Sequence, residues 1–236
     1  MARAEAGANS TGGDRGRAVE SRPSRQALSH AVAVALVVGV AAAFRLYDLG
    51  SAPPGLHVDE AVNGLDILIT IPQQHPVFFE LNNGREPLFI YAQALAVALL
   101  GPTPLALRLT AAAFGILTVL AMYWVGCELF SRRVGLIAAL GLSTSLWHVT
   151  LSRVGLRGIS APLFWLLTLG LLWRGIRRRE SGSLALAGVT LALGLYTYLS
   201  ARFAVVLVGV LIVCELLLAG WALLRLWRGF AAAAVL

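Results

Sequence analysis

The chain has 236 residues, 58% of them hydrophobic and 13% charged, with a mean hydropathy of +0.78. Those figures exclude a soluble domain of this size and define an all-α, polytopic transmembrane helical bundle. The net charge of +7 is carried by 19 arginines without a lysine, a bias of coding composition, so the high pI carries no argument for a nucleic-acid partner.

In chain order, residues 1–27 are rich in Gly, Ser, Arg and Glu without apolar periodicity, and are expected to form a disordered cytoplasmic tail. The first apolar block runs over 28–44. Ala41-Ala42-Ala43 resembles a signal-peptide cleavage site, but the long charged lead and the later spans favour an uncleaved anchor. An acidic pair follows in Gly55-Leu56-His57-Val58-Asp59-Glu60-Ala61, just past Pro53-Pro54. A shorter apolar block, 87–100, closes at Gly101-Pro102. Further apolar blocks occupy 105–130, 134–151, 159–173, 184–199 and 203–224, and another begins at 231–236. Cys127 and Cys214 lie inside apolar blocks with no metal-ligand spacing and are expected to be small buried hydrophobes.

Arginine counting fixes the expected topology. If 87–100 lies along the outer surface as a juxtamembrane helix, 13 of the 19 arginines fall on the cytoplasmic side; if it spans, the split is 9 against 10. The positive-inside rule favours the first arrangement, and fourteen apolar residues are short against the ~20 that a span needs. The expectation is about six spans, both termini cytoplasmic, and a large outer loop of about residues 48–104 carrying juxtamembrane helices.

Six arginines remain outside. Arg45 and Arg108 lie at helix ends, where snorkelling to headgroups is the expected explanation. Arg85, Arg153, Arg157 and Arg202 gather instead on the side that the rule depletes. Together with Asp59 and Glu60 they suggest a site for a phosphate anion, because guanidinium forks match phosphate oxygens. Two simpler readings stand beside this one. Arg153 and Arg157 could pair with Glu86 or with lipid headgroups, and the acids could favour the N-terminus of the following helix. His57 beside the acids could bind a metal or substrate, although solvent exposure is the simpler expectation. His148, on an apolar helix, reads as a packed interior histidine, and Tyr196 and Tyr198 sit where an interfacial aromatic belt is expected.

The order of these features resembles the N-terminal part of the GT-C class of integral-membrane glycosyltransferases, in its protein O-mannosyltransferase and aminoarabinose-transferase branch (PMT-like, family 39). Four pieces carry the resemblance: Asp59-Glu60, Arg85-Glu86-Pro87-Leu88-Phe89, Arg108-Leu109-Thr110 running to Glu128-Leu129-Phe130-Ser131-Arg132-Arg133-Val134-Gly135, and Ser152-Arg153 before an apolar helix. The similarity covers about residues 40–220. It implies inverting transfer of a sugar from a polyprenyl-phosphate carrier to a protein, lipid or glycan acceptor at the outer face of the plasma membrane. It further implies Asp59 as general base, Glu60 positioning the acceptor or the sugar, and Arg85 on the carrier phosphate. Glu86, Arg153, Arg157, Arg202, His57 and Tyr198 are further candidates for binding substrate.

Two departures stand out. Many relatives carry Lys-Pro-Pro where this chain has Arg85-Glu86-Pro87. Some also carry a second acid in the loop after the third span, where this chain has Arg153 and Arg157. Without that acid a divalent metal bridge loses a ligand, so no cofactor is certain and a divalent metal stays an open option. Family members have more spans and a C-terminal domain, so residues 28–236 are expected to be a GT-C-like transmembrane module truncated at its C-terminus. A small transporter using Glu128 or Glu215 within the spans, and a non-catalytic scaffold or assembly subunit, are the alternatives.

Overall fold

The computed structural model describes residues 25–219. The expected tail before residue 25, the end of the 203–224 block, Arg225, Arg228 and the 231–236 run lie outside them. The described residues form ten α-helices, short 3-10 and π-helical segments, and a single isolated β-bridge.

Four segments are long and apolar enough to cross a bilayer: Leu28–Leu46, Pro104–Leu129, Arg157–Arg178 and Leu199–Leu218. They belong to helices α1 (Arg25–Leu46), α5 (Pro104–Leu129), α8 (Ala161–Arg178) and α10 (Arg202–Ala219). A fifth span exists if α6 (Arg132–Thr144) and α7 (Leu146–Arg153) are taken as one element bent by 58°. The span expected at 184–199 is shorter than its composition suggests, because α9 (Ser181–Leu195) has 15 residues and gives way to a turn at Tyr196 and Thr197. The apolar bundle is therefore present, with four to five spans by length where composition predicts about six. Helix α4 (Pro87–Leu100) is 14 residues long, under the bilayer thickness at 1.5 Å per residue.

Helix α5 is the centre of the bundle and packs on α1, α4, α6, α7 and α8. Thr103 caps it, its side chain accepting from the Ala106 amide at 3.3 Å, and Pro104 occupies the first turn where its missing N–H costs nothing. The α5–α6 crossing depends on two glycines. A Cβ placed on Gly126 would stand 2.5 Å from the Gly135 Cα, so the backbones touch where neither residue has a side chain.

The end of the bundle away from the 47–103 segment is closed by ion pairs. Glu128 of α5 accepts from Arg174 at 3.4 Å and from Arg178 at 2.9 Å, while Arg174 also reaches Glu180 at 3.1 Å. Hydrogen bonds from Ser183 and Arg174 hold the Glu180 carboxyl below its ordinary value. Of the two acids that a transporter reading singled out, Glu128 is thus bound into this network.

Arg45 corrects the snorkelling expectation. It is fully buried, because the α6–α7 break folds over the end of α1 and leaves it no route to headgroups. Its Nη1 donates to the Ala41 and Ser143 carbonyls at 3.0 Å each, and Nη2 to the Leu142 carbonyl at 3.3 Å. Nε donates to Ser152 Oγ at 3.2 Å and Nη2 also lies 2.8 Å from His148 Nδ1. Because arginine only donates, His148 Nδ1 accepts here and its proton sits on Nε2. Arg45 thus supplies donors to carbonyls at the end of α6, where helical partners run out. His148 is interior, as its apolar surroundings suggested. The cysteines differ from expectation: Cys127 is half-buried and Cys214 exposed, since α10 meets little of the described chain.

Candidate functional site

Between α1 and α5 the chain builds a polar platform. Helix α2 (Val58–Leu65) starts at His57, whose Nδ1 accepts from the Asp59 amide at 3.2 Å. The His57 amide in turn donates to Glu60 Oε2 at 2.8 Å, completing a reciprocal cap. A π-helical turn, Asp66–Thr70, and the short α3 (Ile71–Gln74) continue from it. One side of this run carries Glu60, Asn63 and Asp66, all buried, and the opposite side exposes Leu65, Leu68 and Ile69. The polarity is inverted relative to a helix on a soluble protein. Phe79 and Arg85 then pair as an antiparallel bridge around a turn, and α4 begins at Pro87.

The adjacent acids have opposite environments. Glu60 is wholly buried; its Oε1 accepts from Arg108 Nε at 3.0 Å and from the Gly155 amide at 2.9 Å. With the His57 amide on Oε2, both of its oxygens are occupied. Asp59 is half-buried. Its Oδ1 accepts from Asn82 Nδ2 at 2.6 Å, and its Oδ2 has no hydrogen-bond partner among the described residues.

Arg108 is the second correction. Rather than snorkelling it is 1% exposed, held by Glu60 and by the carbonyls of Leu49, Pro53 and Gly55. The loop after α1 covers the start of α5, so the guanidinium finds protein acceptors before it can reach lipid.

Among the candidate arginines, Arg85 is buried and fully engaged: Nε donates to the Leu81 carbonyl at 3.0 Å, Nη1 to Asn63 Oδ1 at 2.6 Å, and Nη2 pairs with Asp66. Arg153 donates to the carbonyls of Phe44, Tyr47 and Ala52, tying the exit of α1. Arg157 is different. Nη1 donates to the Gly84 carbonyl at 3.1 Å, Nε stands 3.9 Å from Glu86 Oε2, and the guanidinium lies 5.5 Å from the Tyr198 ring centroid. Its Nη2 donates to nothing among the described residues, and the charges of Glu86, Arg85 and Asp59 all act on it. Glu86 is buried and its Oε2 lacks a hydrogen-bond donor. Arg202 is exposed at the start of α10, four residues beyond Tyr198.

The structure therefore brings together Asp59, Asn82, Gly84, Glu86, Arg157 and Tyr198, and commits Glu60, Arg85, Arg153 and His57 to local architecture. Asn63, Asp66, Asn82 and Gln93 were not foreseen. Gln93 links the platform to the bundle, accepting from Asn63 at 2.8 Å and donating to the Leu107 carbonyl at 3.0 Å. The spacing of residues 60, 63 and 66 on one helical face and the Asn82-Asn83-Gly84 turn are signals present in the sequence. Among the described residues no three His, Cys, Asp or Glu side chains come together as a metal-ligand group.

The fold resembles the crystal structure of the Archaeoglobus fulgidus oligosaccharyltransferase in its apo form, with a TM-score of 0.72 at 18% identity. The match covers 87% of this chain and 29% of that one. It places the bundle in the GT-C fold. Residues 75–235 match the family described as dolichyl-phosphate-mannose-protein mannosyltransferase, more than half of the 236 residues. The chain belongs to that family. No curated protein matches it.

Proposed function

We propose that this chain carries the reacting site of a glycosyltransferase that moves a sugar from a polyprenyl-phosphate carrier to an acceptor hydroxyl at the outer membrane face, with inversion. One observation carries the assignment. Of two adjacent acids, only Asp59 keeps a carboxylate oxygen without a hydrogen-bond partner among the described residues, and it shares the 82–84 turn with Arg157, whose Nη2 also donates to none of them.

In this reading Asp59 Oδ2 takes the acceptor hydroxyl proton as the acceptor oxygen bonds to the anomeric carbon. The bond from that carbon to the phosphate oxygen breaks on the opposite face, and the phosphate leaves with the electron pair. Arg157, with Arg202 four residues beyond the Tyr198 that it stacks on, stabilises the charge that develops on the phosphate. Glu86 orients Arg157, and Tyr198 supports its flat face. Glu60 and Arg85 hold α2 in place rather than touching substrate. His57 caps the helix, and Arg153 fixes the end of α1. The proposed steps use protein groups alone, and the acceptor is a protein, lipid or glycan hydroxyl.

The test is transfer of labelled mannose from a polyprenyl-phosphate carrier by membranes containing the chain. Asp59→Asn should abolish transfer while the protein remains folded. Unchanged transfer would remove Asp59 from the role of base, and movement of the carrier across liposomes without a glycosyl product would favour transport.

A further inference from the structure

The turn between the β-bridge partners has an unusual backbone. Asn82, Asn83 and Gly84 are consecutive residues at φ 55°, 66° and 77°. Left-handed conformations cost little at glycine and are best tolerated elsewhere by asparagine. The turn is locked further by packing, since a Cβ on Gly84 would stand 2.6 Å from the Phe78 ring. This geometry points two groups in useful directions. The Asn82 amide donates to Asp59 Oδ1 at 2.6 Å, and the Gly84 carbonyl accepts from Arg157 Nη1 at 3.1 Å. Asp59 has one χ1 and one broad χ2 torsion on a half-exposed surface, and no other side chain hydrogen-bonds its carboxylate among the described residues.

We propose that Asn82 is the positioning residue for the Asp59 carboxylate: its amide fixes Oδ1 so that Oδ2 is presented to the acceptor hydroxyl, while the same turn holds Arg157 through the Gly84 carbonyl. The inference rests on the reading of Asp59 as general base. It assigns the distance between base and phosphate-binding arginine to one three-residue turn. Leu81 adds a tie from this turn to Arg85, whose Nε donates to its carbonyl at 3.0 Å.

Two roles of Asn82 must be separated, the amide and the left-handed backbone. Asn82→Gly keeps the backbone, because glycine adopts positive φ freely, and removes the amide. Asn82→Asp keeps the shape and replaces the donor by an acceptor. With polyprenyl-phosphate mannose as the donor, Asn82→Gly should lower kcat roughly 10- to 100-fold, with little change in KM for the donor and no loss of thermal stability. Asn82→Asp should lose at least as much. Full turnover in Asn82→Gly, with Asp59→Asn inactive, overturns the positioning role and leaves the base assignment intact. Retained transfer in Asp59→Asn removes both, as does absence of transfer by the wild-type chain.

Discussion

Glu60 and Arg108 face each other at 3.0 Å with side chains at 0% and 1% exposure, while Asp59, one residue away, turns a carboxylate oxygen outward. Neighbouring acids are thereby separated: one is neutralised and saturated inside the protein, the other keeps an oxygen without a partner among the described residues. The helical turn makes this division, since successive side chains point about 100° apart and only position 60 faces α5.

The Glu60–Arg108 pair should dominate the stability of the polar platform. Removing one partner of a buried pair leaves an uncompensated charge and costs about 3–5 kcal/mol. Glu60→Ala or Arg108→Leu should therefore lower the melting temperature in detergent sharply, whereas Asp59→Asn should leave it nearly unchanged. Equal melting temperatures for all three variants would contradict the division.

Arg45 makes a related prediction. Its guanidinium satisfies carbonyls of Leu142 and Ser143 and touches His148 and Ser152 at once, a fork that a lysine ammonium cannot reproduce. Arg45→Lys should destabilise the folded protein by about 1–3 kcal/mol, and Arg45→Met by more. A lysine variant as stable as wild type, measured by thermal unfolding, would show that charge rather than fork geometry matters there.

The glycine crossing of α5 and α6 is a steric prediction. Gly126→Val places side-chain atoms where the Gly135 backbone already lies, and overpacking of this kind costs about 1–3 kcal/mol or forces the helices apart. Reduced folded yield and faster proteolysis between residues 126 and 135 are expected. Gly141, with open space around its Cβ position, is the control: Gly141→Ala should be neutral.

Arg157 and Arg85 should separate kinetically. Arg157→Ala should impair donor use, with kcat/KM falling about 100-fold and little change in unfolding temperature. Arg85→Ala should act mainly on folding, because it strands Asp66 in a buried position. The reverse pattern, a stable but inactive Arg85→Ala, would return the phosphate to Arg85.

Much of this molecule is legible in its sequence because a bilayer leaves few choices. Long apolar blocks must become helices, since backbone polar groups have no other partners there, and blocks such as 105–130 appear as written. Composition does not register where an apolar run bends, so the break at Ser145 and the early end of α9 were invisible. The acidic pair was conspicuous as charge, but which member faces inward depends on the register of α2 against α5. Arg45 and Arg108 were misread for a similar reason. An arginine at a helix end looks alike whether lipid or a returning loop lies above it, and only tertiary contacts distinguish the two.

The inverted face of the α2 run sets a vertical coordinate. With Leu65, Leu68 and Ile69 outward and Glu60, Asn63 and Asp66 inward, this segment has the polarity of a helix that lies where hydrocarbon gives way to headgroups. Asp59 rides on it as on a buoy. The height of its carboxylate is then referenced to the lipid surface itself, the same surface that fixes the height of any phosphate tethered to a membrane-buried chain. If a lipid-tethered phosphate is the donor, alignment of the two needs no separate docking event, and a thicker or thinner bilayer would shift both together.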